Sequence, residues 1–307
     1  MWRQHGKNQH FMARLLLGIG LAGFVTAIAT ACSLEGGSDG VTSTPADGDM
    51  QTRTTSQVSE QSPTSRVRSV PTRTPAVPTA RPEQGRLDAR SGVTTQADST
   101  AQPGTHPLGI TSGRDGLIYI PSGYKPDQPA PLVLLLHGAG GDARGGLSLL
   151  QAFADESNLI LVAPDSRGRT WDFIIDRYGP DVSYIDKALA QTFISYNVDA
   201  TRLAVGGFSD GASYALSLGV TNGDLFTHII SFSPGFMAPG RLEGKPRIFN
   251  SHGIHDQVLS IDQCSRRVVP ELQRLGYDVI YREFDGPHTV PHDIAREAVS
   301  WLLGDAR

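Results

Sequence analysis

The chain has 307 residues, 39% hydrophobic but only 7% aromatic, with a formal net charge of −4. No Phe, Tyr or Trp lies between Phe24 and Tyr119, so the first third lacks the apolar area to offset the entropy of ordering it; one packed domain is expected, over 106–307. That part carries 17 Lys and Arg against 23 Asp and Glu, which argues against a nucleic-acid partner held by clustered positive charge.

The N-terminus reads as an export signal. Arg3, Lys7 and Arg14 stand without an acid before the apolar run Leu15 to Ala31, which is short for a spanning helix and ends in small residues. Ala29-Thr30-Ala31-Cys32 resembles the lipobox of bacterial lipoproteins, in which the cysteine is acylated and becomes the new N-terminus. The resemblance implies a signal peptide over 1–32, palmitate-type lipid on Cys32, and a protein anchored to the outer face of the cytoplasmic membrane, or secreted if the lipobox is not used. Lipid on Cys32 would leave Cys264 without an intrachain partner, as a small buried hydrophobe on a helix.

From Ser33 to Thr105, 37 of 73 residues are Ser, Thr, Pro or Gly, with seven basic residues scattered among eight acids. Such a composition favours solvated, extended chain, and 33–105 reads as a disordered tether with an end-to-end distance of roughly 50 Å.

Beyond it, strand and helix alternate. Strands are expected at Gly116 to Pro121, Pro131 to His137, Leu159 to Ala163, Arg202 to Gly206, His228 to Phe232, Pro246 to Ser251 and Tyr277 to Phe284. Helices are expected within Asp142 to Ser157, then at Val182 to Ser195, Asp210 to Val220, Ser260 to Leu275 and Pro291 to Leu303. The pattern predicts an α/β fold with a mostly parallel sheet and helices on both faces, whose functional residues sit just after strands.

Gly207-Phe208-Ser209-Asp210-Gly211 stands where a strand turns into a helix, the setting of a GxSxG nucleophile elbow. A serine hydroxyl needs a base to take its proton and an acid to orient that base. Asp256 in HGIHD and His288 in GPHT follow later strands, in the chain order of α/β-hydrolases, and are preferred over Asp262 and His292. His252 and His255 are assigned to loop packing and given no catalytic role. Backbone N–H groups of Asp210 and of the loop His137-Gly138-Ala139-Gly140-Gly141 would form the oxyanion hole, with Ala139 preferred and Gly140 the alternate. The side chain of Asp210 suits a helix N-terminus.

In this order and spacing, HGAGG, GFSDG, HGIHD and GPHTVP resemble the small α/β-hydrolase esterases of the phospholipase/carboxylesterase and acyl-protein thioesterase group, with a likeness to secreted polyhydroxybutyrate-depolymerase-type esterases. The resemblance spans about 106–307 and implies carboxylic ester hydrolysis without metal or cofactor, with Ser209, Asp256 and His288 as the triad. Asp210 departs from the Gln that many relatives carry there, which bears on substrate preference.

Only 13 residues separate the strand ending at Phe232 from the next, so no large cap domain fits and the site should be open to short and medium acyl esters. Trp171, Phe236 and Met237 are candidate pocket walls. Competing assignments account for less of the sequence. GAGGDA with Asp165 formally matches a dinucleotide fingerprint, and His252, His255 and Asp256, or His288 and His292, could be imagined around a metal. A non-catalytic lipoprotein on a hydrolase scaffold is the remaining alternative.

Overall fold

The computed structural model describes residues 84–92 and 102–304, all within the compact unit Pro78–Arg307. The signal peptide, Cys32 and most of the proposed tether lie outside the described residues. Among the described residues eight strands form one sheet: β1 (Gly104–Pro107), β2 (Gly116–Ile120), β3 (Ala130–Leu136), β4 (Ile160–Pro164), β5 (Val198–Phe208), β6 (His228–Phe232), β7 (Arg247–Gly253) and β8 (Val279–Phe284). Their order is β1-β2-β4-β3-β5-β6-β7-β8. β2 runs antiparallel to β1 and β4, and every later pairing is parallel.

Within the same residues six helices cover the sheet: α1 (Ala143–Ser148), α2 (Asp172–Ile175), α3 (Pro180–Ser195), α4 (Asp210–Thr221), α5 (Ser265–Arg274) and α6 (His292–Leu303). Strand β3, Ala-Pro-Leu-Val-Leu-Leu-Leu, is buried along its whole length because side chains leave both faces of a covered strand. Leu132, Leu134 and Leu136 join α3, α4 and α5 in one core, while Val133 and Leu135 join α1 and α6 in the other. The described residues thus form a three-layer α/β-hydrolase fold without a large cap, and the 233–246 connection carries no helix.

Several expected boundaries move. The helix expected within 142–157 breaks into α1 and a short 3-10 turn at Gln151–Phe153, since paired glycines at 145 and 146 weaken helix propagation. The helix expected from Ser260 starts at Ser265. Cys264 is a buried free thiol at its N-cap. Residues 104 and 105, assigned to the tether, open β1.

The larger correction to the 33–105 tether concerns residues 84–92, which dock as a strap. Leu87 is buried, its N–H donates to Asn222 Oδ1 at 2.9 Å, and Asn222 Nδ2 donates to Gly85 O at 2.7 Å. Arg86 donates to Thr221 O at the end of α4 and, through both Nη atoms, to Asp224. Asp186 Oδ1 accepts from the N–H groups of Asp88 and Ala89. A cation at a helix C-terminus satisfies a carbonyl that the helix leaves open. Low aromatic content hides this in the sequence because one Leu, Arg86, Arg90 and backbone groups make most of the attachment. Among the described residues no helix is long and apolar enough to cross a membrane.

Candidate active site

The elbow joins β5 to α4. Ser209 adopts φ 58° and ψ −121°, a conformation that costs on the order of 1–3 kcal/mol for a residue with a side chain. Ser209 N–H donates to Phe232 O at 3.0 Å, tying the turn to the neighbouring strand. A Cβ on Gly207 would overlap the carbonyls of Gly211 and Leu136, and one on Gly211 would overlap those of Leu136 and His137. Glycine is required at both positions because strand, turn and helix meet backbone to backbone.

Asp256 and His288 come together across two loops that touch directly. A Cβ on Gly253 would strike Gly286 O and Pro287 O, and His255 N–H donates to Gly286 O at 3.0 Å. The result is a 2.5 Å contact between His288 Nδ1 and Asp256 Oδ2. Asp256 Oδ1 accepts from Val258 N–H at 2.9 Å and Leu259 N–H at 2.8 Å, which fixes the carboxylate plane. With Nδ1 donating to the carboxylate, Nε2 carries the lone pair needed by a base. The imidazole packs at a tilt against Phe208, ring centroids 4.5 Å apart, which places it beside the residue that precedes Ser209.

The glycine loop 137–141 lies against the elbow: a Cβ on Gly138 would meet Ser209 Cβ at 3.4 Å. Gly140 N–H is committed to Arg169 O at 2.7 Å and Gly141 N–H to Gly138 O at 3.1 Å, so the alternate donor Gly140 is occupied. Ala139 is exposed at the tip of the loop. The loop is held from below and behind. Trp171 Nε1 donates to His137 O at 2.8 Å, Arg114 to Gly141 O at 3.0 Å, and His137 accepts from Ser166 N–H through Nε2 at 3.1 Å. Burial lowers the pKa of His137 and keeps it neutral, so its Nδ1–H donates to Gly138 O at 2.7 Å.

The three expected pocket walls separate. Trp171 is fully buried, packed between His137 and Tyr214, and supports the glycine loop 137–141 rather than forming a wall. Phe236 and Met237 are half-buried in the 233–246 loop. That loop hangs on a ladder of hydroxyls along α4: Ser213, Ser217 and Thr221 accept the N–H groups of Gly235, Ala238 and Gly240. Asp210 turns its carboxylate to Thr170 Oγ1 at 2.7 Å. Next to Thr170 opens a depression of about 470 Å³ lined in part by Arg167, Ile175, Arg177 and Tyr178. Its floor is stitched by Asp172 and Asp181, each accepting the other's N–H; burial raises both carboxyls, Asp181 to about 6.

The competing residues do other work. Asp165 Oδ1 accepts from Ala143 N–H at 2.6 Å at the start of α1. Asp262 pairs with Arg266, exposed His255 pairs with Asp285, and His292 packs its ring, tilted, against Phe153. The supports Arg114 and Thr170 carry no sequence signal, since they act across 27 to 52 positions.

Fold and elbow define the class: the described residues form an α/β-hydrolase fold with a serine on its strand-to-helix turn. Residues 110–247 match the family model described as Putative esterase, a stretch that contains the elbow. The chain is 29% identical over 167 residues to feruloyl esterase C of Emericella nidulans, covering 52% of this chain and 60% of that protein. It is 28% identical over 159 residues to the bifunctional acetylxylan esterase/xylanase XynS20E of Neocallimastix patriciarum, covering 50% of this chain and 23% of that protein. The match therefore spans less than two thirds of either relative. Among solved structures, esterase PE8 superposes with TM-score 0.52 at 24% identity, over 62% of this chain and 97% of that one. FphF, a fluorophosphonate-binding serine hydrolase of Staphylococcus aureus, superposes with TM-score 0.51 at 17% identity, over 66% of this chain and 99% of that one.

Proposed function

We propose that this protein hydrolyses carboxylic esters through an acyl-enzyme on Ser209. His288 takes the serine proton and returns it to the leaving alcohol, Asp256 orients His288 and stabilises the imidazolium, and the N–H groups of Ala139 and Asp210 receive the oxyanion. One observation carries this: the contact of His288 Nδ1 with Asp256, beside a serine held at positive φ on a strand-to-helix turn. In α/β-hydrolases that arrangement activates a hydroxyl that is otherwise a poor nucleophile. Each oxyanion donor contributes about 3 kcal/mol to the barrier reduction.

The substrates are small or oligomeric esters of short to medium acyl chain. The open rim and the depression beside Thr170 support an ester with a bulky substituent, as does the similarity to feruloyl and acetylxylan esterases. Thioesters and polyesters are the competing substrates. Hydrolysis of 4-nitrophenyl acetate, methyl ferulate, hydroxybutyrate oligomers and an acyl thioester, measured side by side, ranks them. Ser209→Ala should lower kcat by at least about 10³-fold with the protein still folded, and a fluorophosphonate should label Ser209. Undiminished hydrolysis by a clean Ser209→Ala preparation rejects the mechanism. EDTA should leave the rate unchanged, because no step uses a metal.

Export and lipid anchoring through Cys32, with 1–32 as signal and the chain up to the strap as tether, complete the proposal. Incorporation of labelled palmitate that disappears in Cys32→Ser tests it.

A further inference from the structure

Beside Asp256 lies a second histidine that the mechanism does not use. His252 stands near the end of β7 with no exposed surface. Its Nε2 faces Leu259 O at 2.7 Å and Asp256 Oδ2 at 3.2 Å, and its Nδ1 faces Ser265 Oγ at 2.7 Å. Ser265 Oγ in turn accepts from Asn250 Nδ2 at 3.0 Å. A carbonyl and a carboxylate can only accept, so Nε2 carries the proton; the Ser265 hydroxyl then donates to Nδ1. Every donor in this chain points one way, from Asn250 through Ser265 and His252 towards Asp256 and Leu259. Leu259 closes the ring, its N–H donating to Asp256 Oδ1 at 2.8 Å.

We propose that His252 is a positioning residue for ester hydrolysis: its Nε2–H, bonded to Leu259 O and 3.2 Å from Asp256 Oδ2, holds Asp256 in place and so sets how strongly that carboxylate engages His288. This rests on the assignment of Asp256 and His288 above. The oxygen that His252 approaches is the one that receives His288 Nδ1, so the two imidazoles share one acceptor. The shared Nε2–H fixes where that oxygen sits and therefore which way His288 presents Nε2 to the serine. Two N–H donors on one oxygen divide its charge, so His252 also tempers how far Asp256 stabilises the imidazolium that forms on His288 during the reaction. The groups packed around His252 leave it neutral. Burial lowers its pKa, the effect of Asp256 notwithstanding. Cys264 at the start of α5 stays a thiol, since burial pushes it up to about 11. Glu283, the register partner of His252 on β8, is paired with Arg266.

The experiment compares His252→Phe, His252→Gln and Ser265→Ala for 4-nitrophenyl acetate hydrolysis across pH. His252→Phe should lower kcat about tenfold, leave KM within twofold, and move the acid limb of kcat/KM to higher pH by about half a unit. His252→Gln places an amide N–H near the position of Nε2 and should restore most of the rate and the acid limb. Ser265→Ala frees the tautomer and should fall between them. A folded His252→Phe protein with unchanged kcat and acid limb overturns the proposal. So does a loss of rate equal in Phe and Gln variants with an unmoved acid limb, which marks a packing role only. If His252→Phe does not fold, the Gln and Ala variants decide alone: wild-type kinetics in Ser265→Ala together with a tenfold loss in His252→Gln overturns the proposal. Failure of the triad assignment reads out separately, as undiminished turnover by Ser209→Ala.

Discussion

At the scale of single residues the elbow concentrates the constraint. Three backbone segments meet at Gly207 and Gly211 with no room for a methyl group. Gly211→Ala should therefore destabilise the protein by about 2 kcal/mol or more, read from the midpoint of urea unfolding, and should abolish fluorophosphonate labelling because α4 must retreat from Leu136. The turn at Ser209 and the meeting of Asp256 with His288 are legible in the sequence because each residue follows a strand, in the chain order that a triad requires. Trp171 is not, for the opposite reason: an indole says nothing in the sequence about which carbonyl it will reach, and here it reaches His137 O at the base of the glycine loop. His252 reads as packing, although its distance of four positions from Asp256 is the one hint the sequence contains.

Among the elements, α4 does two jobs. Its first turn presents Asp210 N–H, and its Ser213, Ser217 and Thr221, spaced four apart on one stripe, hold the loop that bears Phe236 and Met237. Each hydroxyl also donates to the carbonyl four residues back, so its oxygen is aimed with its lone pairs towards the loop. Ser217→Ala should cost about 1 kcal/mol of stability, speed hydrogen exchange at Ala238, and raise KM more than it lowers kcat. The small-residue character of this helix is visible in sequence, but periodicity places a stripe on a face without naming the loop it will meet. Strands are more legible than helix starts. A covered strand is apolar throughout, whereas the start of α5 depends on the 256–264 turns, which Asp256 and His252 organise through side-chain hydrogen bonds.

For the molecule as a whole, acid stability and the N-terminal strap follow from the same packing. His228, at the start of β6, stacks edge-on against Trp301, and burial, reinforced by Arg247 and Arg202, lowers its pKa to about 4. A histidine that is harder to protonate in the fold than in the open chain stabilises the protein fully above its unfolded value near 6.5. That contribution declines as pH falls from about 6.5 towards 4, where the unfolded chain binds the proton first. His228→Gln should remove this part of the acid sensitivity, so that wild type and variant differ in the slope of Tm between pH 6.5 and 4. Leu87→Ala should cost on the order of 2–3 kcal/mol although it lies in a stretch whose composition reads as linker, because its side chain is buried. The strap also means that continuity of the backbone and membership of the fold are separate matters. A protease nick between residues 93 and 101 would leave 84–92 seated as a detached peptide, gripped by Asn222, Asp186 and Asp224. Whatever precedes it in the chain would then stay attached to the fold by noncovalent bonds alone.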